Sequence, residues 1–174
     1  MNSLSGVLKY LAYGSNMHPL RLRQRVPSCE PIGTAHLRGY RLHFHKNGRD
    51  GSGKCSITRT ERMSDRIIGV VYEMHAAERH LLDKAEGLGA GYDLASLKVS
   101  CRGVLQQVFC YVADPAHVDE TLRPYDWYKA LVVGGAHAHR LPADYIRELN
   151  QVQAVADPNA ARASLHFGIA EATA

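Results

Sequence analysis

The chain has no run of about 18 apolar residues, the length a helix needs to cross a bilayer. Its opening, Met1-Asn2-Ser3-Leu4-Ser5-Gly6, lacks a basic stretch leading into an apolar one and a cleavage site, so no secretory leader is expected. The protein is expected in the cytoplasm. Cysteine is scarce: Cys29, Cys55, Cys101 and Cys110 fall at irregular spacings with no C-x-x-C pair. A tetrahedral zinc site or a thioredoxin-like motif therefore has no support. Cys101 and Cys110 sit in apolar stretches, where a thiol behaves as a small hydrophobe, and all four are read as reduced and structural. Histidine is plentiful but shows no ligand-spaced set. His43 and His45 share a strand face and His137 and His139 flank a turn, with no third ligand suggested, so no metal and no cofactor is expected. Excess charge is also lacking. A net charge of +4 is mild, and a nucleic-acid protein would show more, with aromatics interleaved for stacking. Arg21, Arg23 and Arg25, followed by Arg38, Arg41, Lys46 and Arg49, read as a solvated basic face able to attract small anions.

What is present is an ordinary globular composition, 45% hydrophobic and 22% charged over 174 residues, enough for one domain with its own core. Val7 to Tyr13 reads as a buried strand ending at Gly14, and Leu20 to Arg25 as a short helix stopped by Pro27. Gly33 to Lys46 alternates, with Tyr40, Leu42 and Phe44 on one face and Arg41, His43 and His45 on the other, as in a half-buried strand. Asn47 to Gly53 is a loop or hairpin connection, and Lys54 to Thr60 another strand. Ile67 to Tyr72 is continuously apolar, the pattern of a strand covered on both faces. Ala76 to Ala85 is helical, with Ala77, Leu81, Leu82 and Ala85 near one stripe. Strands follow at Tyr92–Cys101 and Val104–Ala113. A helix from Tyr125 to about His137 is expected to be interrupted at Gly134-Gly135, and another to begin with Pro142 at its first position. From Asp157 the sequence is small, Ala-rich and weakly periodic, so residues 157–174 are expected to form a loosely packed tail on a domain spanning 1–156. Strands early, helices late and no βαβ repeat predict an α+β fold, a small mixed barrel or curled sheet with flanking helices.

One tempting motif is discarded. Gly48-x-x-x-x-Gly53-Lys54 resembles a phosphate-binding loop, but Cys55 stands where Ser or Thr is needed to hold magnesium. The residues after it are β-like, so no helix N-terminus faces the would-be phosphates.

Two segments carry chemistry. Tyr13-Gly14-Ser15-Asn16-Met17 follows a buried strand directly, and Gly, Ser and Asn there favour a turn that aims N–H groups outward. Such a nest binds a carboxylate or a developing oxyanion. Glu86 closes the predicted helix in Leu82-Asp83-Lys84-Ala85-Glu86-Gly87, just before a natural helix-stop glycine. The negative end of the helix dipole disfavours a charged carboxylate, and partial burial by the strands would push it further towards general acid/base work.

Together these segments resemble the γ-glutamylcyclotransferase family, also described as AIG-type or butirosin-cyclotransferase-like. The resemblance runs from about Lys9 to Leu149. It comprises Tyr13-Gly14-Ser15-Asn16 after the first strand, Gly69-Val70-Val71, Leu82-Asp83-x-x-Glu86-Gly87, Gly89-Ala90-Gly91-Tyr92 and Leu141-Pro142-x-x-Tyr145. It implies a cyclisation of a γ-glutamyl amide to 5-oxoproline with release of an amine or amino acid, without cofactor. Glu86 would be the acid/base. Tyr13, Gly14, Ser15, Asn16, Met17, Tyr111 and Tyr128 would bind the substrate. The implied partner is a small γ-glutamyl compound, glutathione among the candidates, with no nucleic acid and no membrane, and the protein a monomer or homodimer. The loop Gly48–Gly53 and the tail match no family motif. Three other readings stay open: a non-catalytic binding protein of the same fold, a basic nucleic-acid or protein-interaction module, and an amidase using Cys29 or Cys55.

Overall fold

Val7–Ala12 forms β1, and it runs antiparallel to β5, Arg66–His75, from Val7 opposite His75 to Ala12 opposite Val70. In β5 the side chains of Ile67, Ile68, Val70, Val71 and Tyr72 are all at most 1% exposed. That is the double-faced burial its unbroken apolar run predicts. On its other edge β5 pairs with β2, Glu30–Arg38. β6, Tyr92–Cys101, and β7, Val104–Ala113, form a hairpin. Bridges from β2 to β6 and from β1 to β7 close the ring, giving a five-stranded barrel in the order β1-β5-β2-β6-β7. The architecture is α+β, as expected. The structure is a computed structural model. It describes residues 6–172. Met1 to Ser5, read above for a leader, lie outside the described residues.

The single strand expected over Gly33 to Lys46 is in fact two. Gly39, at φ 73°, turns the chain out of the barrel, so that β3, Tyr40–Asn47, pairs with β4, Gly53–Arg59, in a separate hairpin. A register shift between His43 and Lys46 also breaks the expected alternation, and His45 and Lys46 are both buried.

The helices lie around the barrel. A 3₁₀ turn, Ser15–Met17, leads into α1, Pro19–Arg25. A further short 3₁₀ turn precedes α2, Arg79–Glu86, which Gly87 stops in the left-handed conformation at φ 75°. Of the stripe predicted on α2, Leu82 is buried while Leu81 is 37% exposed. α3, Asp126–Ala138, is continuous through Gly134 and Gly135. The glycines serve close packing instead: a Cβ at position 135 would lie 2.5 Å from the His18 backbone nitrogen. α4, Ala143–Gln151, begins one residue after Pro142, which occupies the cap.

The loosely packed tail is also not what is found. Residues Ala160–Glu171 form α5. Asp157 receives hydrogen bonds from the Trp127 indole N–H (2.7 Å) and from the Arg162 Nε and guanidinium (both 2.6 Å), and these hold its carboxyl well below the usual range. The Asn159 side chain caps the helix by accepting from the Arg162 N–H. His166 stacks on Trp127 with centroids 4.1 Å apart. Weak periodicity hid this element: Ala163, Phe167 and Ala170 pack against the core, but small and apolar residues lie all round the helix, and a cap, an ion pair and one aromatic stack complete its anchoring. No helix among the described residues is long and apolar enough to cross a membrane.

Candidate active site

β1 delivers the chain into the turn at Gly14, where the Met17 N–H donates to the Gly14 carbonyl (2.9 Å) and the His18 N–H to the Ser15 carbonyl (3.2 Å). The Ser15 and Asn16 N–H groups stand at the head of this turn. Gly14 has φ −118°, a value open to other residues, so the need for glycine lies in crowding. An added Cβ would sit 2.8 Å from the Cys55 Cβ. The turn is thereby pressed against β4.

Glu86, the last residue of α2, reaches the same place. Asn16 Nδ2 donates to Glu86 Oε1 at 2.9 Å and to the Tyr10 hydroxyl at 3.0 Å. Arg25, one turn of α1 beyond Arg21, donates to Glu86 Oε1 and, at 2.9 Å, to Asn16 Oδ1. Both members of the Arg25–Glu86 pair keep partial access to solvent, with side chains 23% and 16% exposed. Glu86 is thus oriented by an amide and a guanidinium, both on Oε1, and its side chain lines the cavity.

That cavity has two parts. A narrow inner recess is walled by Tyr10, Tyr13, Gly14–Asn16, Cys55, Glu86, Tyr92, Tyr111 and Tyr128. An outer cleft of ≈ 220 Å³ opens from it, sharing Ser15, Glu86, Tyr92 and Tyr128 and adding Arg21, Arg25, Lys46, Arg49, Asp50 and Lys54. A larger groove of ≈ 620 Å³ runs between β3 and α4, and its walls include neither Glu86 nor the turn. There Glu120 supplies the third group near His43 and His45 that the sequence did not suggest. His45 Nδ1 is bonded to Glu120 itself (2.7 Å) and His43 Nε2 to Thr58 (2.8 Å), while His45 Nε2 is buried without a hydrogen-bond partner among the described residues.

The expected site residues converge, with different duties. The Tyr13 hydroxyl donates to the Tyr111 backbone carbonyl. The Tyr111 hydroxyl donates to Asp83 Oδ1 at 2.6 Å, tying α2 to β7. The Tyr128 hydroxyl accepts the Cys55 N–H at 3.0 Å, which leaves its own proton for a further partner. Burial pushes all three phenols upward, so they remain protonated at neutral pH. Met17 alone lies outside the cavity walls. It is fully buried, and its carbonyl accepts from the Tyr72 hydroxyl (2.9 Å) and His139 Nε2 (3.0 Å).

Arg25, Tyr10, Tyr92 and the Cys55 peptide were not singled out as site residues from the sequence. The Tyr92 hydroxyl donates to the Cys55 carbonyl at 2.5 Å, so two tyrosines hold the main chain before and after the Cys55 α-carbon. For Arg25 a signal existed. Arg21 and Arg25 are four apart in a helix directly after the turn and so share a face, whereas Arg23 points away to Glu30 (3.2 Å). Tyr10 offered nothing beyond an apolar strand position.

The Cys-dependent reading fares poorly. Burial pushes the Cys55 thiol up to about 12 and the Cys29 thiol up to about 11, leaving roughly 1 in 10³ or fewer as thiolate at pH 7.5. Iodoacetamide at that pH is therefore expected to leave any activity intact. Activity lost in step with labelling of Cys55 or Cys29, followed by mass spectrometry, would restore the amidase reading.

Comparison with known proteins agrees with the geometry. The AIG2-like family matches residues 66–149. A γ-glutamylcyclotransferase of Bos taurus is 30% identical over 152 residues, covering 83% of this chain and 78% of the relative. That of Homo sapiens is 28% identical over 160 residues, with the same coverage, 83% and 78%. A solved γ-glutamyl cyclotransferase superposes with a TM-score of 0.79 at 25% identity, over 86% of this chain and 90% of that one. On sequence, fold and the convergence of the turn with the glutamate, this chain belongs to the γ-glutamylcyclotransferase family.

Proposed function

We propose that this protein cyclises a γ-glutamyl amide to 5-oxoproline, releasing an amine or amino acid, with Glu86 as the general acid/base. The observation that carries this reading is the contact of the glutamate with the turn, Asn16 Nδ2 to Glu86 Oε1 at 2.9 Å. It joins a proton acceptor to a set of backbone donors within one recess.

The reaction needs little beyond these groups. The substrate's α-amino nitrogen attacks its own γ-carbonyl carbon, so holding the right conformer replaces a protein nucleophile. The α-ammonium first yields a proton to the Glu86 carboxylate. The new C–N bond places negative charge on the carbonyl oxygen, where the Ser15 and Asn16 N–H groups and the Tyr128 hydroxyl are in position to stabilise it. The ring nitrogen gives up a second proton, both protons end on the departing nitrogen, and the original amide bond breaks. No water is consumed. Arg25 and Asn16 act on Glu86 and hold its oxygen towards the recess.

Incubation of the purified protein with γ-glutamyl-alanine, followed by chromatography, is expected to yield 5-oxoproline and alanine in equal amounts. Glutamate in place of 5-oxoproline would indicate hydrolysis and overturn the proposal. Binding of the compound without any turnover would favour the non-catalytic reading.

A further inference from the structure

The outer cleft contains more positive charge than the protein itself neutralises. Among the cations on its walls, Arg25 is paired with Glu86 and Lys54 with Asp50 (2.7 Å). Arg21, Lys46 and Arg49 have no carboxylate partner among the described residues. Two of them are more than nine-tenths buried: Arg21 is 8% exposed and Lys46 6%. The Arg21 Nε has no hydrogen-bond partner among the described residues, and the guanidinium makes one long side-chain approach, 3.5 Å to His166 Nδ1. Burial and the neighbouring Arg21 push that imidazole down to about 4, so it is neutral at pH 7. Lys46 rests its ammonium over the Tyr92 ring, 4.8 Å from the centroid. Burial pulls Arg21 down to about 10, so it stays charged at neutral pH, and burial also lowers Lys46.

A buried cation without an anion costs several kcal/mol, by order of magnitude, so proteins seldom keep two beside one cavity unless a ligand neutralises them. The cations also come from separate elements, α1 and the β3–β4 hairpin, and so face the cleft from two sides. One monocarboxylate cannot neutralise both.

Accepting the cyclisation proposed above, the ring-forming glutamyl group occupies the inner recess and the departing amine projects into the outer cleft. We infer that the preferred leaving group is an acidic amino acid, one carrying a second anionic group on its side chain besides its α-carboxylate. Its two anions are received by Arg21 and by Lys46 with Arg49. The side-chain anion is a carboxylate or a phosphate, which share this chemistry.

The test compares kcat/KM for γ-glutamyl-glutamate, γ-glutamyl-phosphoserine, γ-glutamyl-alanine and γ-glutamyl-methylamide, read as 5-oxoproline released by the full chain. At least one acidic substrate is expected to exceed the alanine compound by about tenfold or more, as for one charge-assisted contact. The glutamate and phosphoserine arms identify which anion is meant. The preference should shrink in high salt. In Lys46→Gln the acidic-to-alanine ratio should fall towards one, and because Lys46 is buried, the exposed Arg49→Gln provides a second variant that spares the fold. Equal rates for acidic and neutral compounds, or variants that slow every substrate alike, would overturn the inference and leave the cyclisation standing. Should no compound yield 5-oxoproline, the cyclisation fails. Calorimetry of γ-glutamyl-glutamate against γ-glutamyl-alanine then decides the inference alone: tighter binding of the acidic compound sustains it, and equal or absent binding ends it.

Discussion

Replacing Glu86 by glutamine is expected to lower kcat for γ-glutamyl-alanine by about 10²–10⁴-fold, the usual range for a positioned general acid/base. The amide retains the size of the carboxylate and an oxygen that can still accept from Asn16 and Arg25, which now meet at Glu86 Oε1. What it loses is the ability to take a proton from the α-ammonium. Stability should change little, because the pair with Arg25 remains partly open to solvent and such pairs contribute about 0–1 kcal/mol. Steady-state kinetics beside a thermal melt separate the two effects. A variant that turns over within twofold of the parent would remove Glu86 from the chemistry.

The second large effect is expected at a residue that touches no substrate. In Gly135→Ala the new Cβ would meet the His18 backbone nitrogen at 2.5 Å and the Met17 carbonyl carbon at 2.6 Å. Both are main-chain atoms of the segment that carries Ser15 and Asn16, and they cannot swing aside as a side chain would. Overpacking of this kind costs about 1–3 kcal/mol, while alanine in place of glycine returns about 1 kcal/mol of helix propensity. The melting temperature should therefore fall by only a few degrees. The turn itself must shift, and a misplacement near 1 Å in a positioned site costs about 10²-fold in rate. A large loss of kcat/KM with a small loss of stability is the expected signature. Gly168→Ala is the control, since a Cβ there meets nothing within 4 Å. Full activity in Gly135→Ala would mean that α3 does not hold the turn in place.

The contrast between legible and hidden parts follows from the range of the interactions involved. The β6–β7 hairpin and β5 could be read directly, because strand alternation and an unbroken apolar run are local patterns. The turn at Tyr13–Asn16 and the glutamate ahead of a helix-stop glycine were legible for the same reason. The single strand drawn through Gly39 failed because one left-handed residue redirects the chain, and nothing in the alternation around it changes. Gly134 and Gly135 looked like a helix break, yet they are where α3 approaches the turn, a contact set by residues over a hundred positions away. α5 was missed because its anchors, Asp157 to Trp127 and Arg162, leave no periodic trace. Arg25 was read as surface charge because its partner, Glu86, lies 61 residues further on.

The β3–β4 hairpin stands apart from the closed ring, and it supplies Lys46, Arg49, Asp50 and Lys54 to the cleft. It is joined to the site through the Cys55 main chain, whose N–H and carbonyl bond Tyr128 and Tyr92, and to β7 through Ser56 Oγ, which accepts the Ala113 N–H at 2.8 Å. Under the proposed cyclisation, the molecule divides into a cylinder with its turn and helices, which carries Glu86, and an appended flap that meets the departing amine. Such a partition lets mutation rewrite the flap's electrostatic preferences while the cylinder's geometry stays constant. A lineage built this way can diversify in diet without reinventing its chemistry.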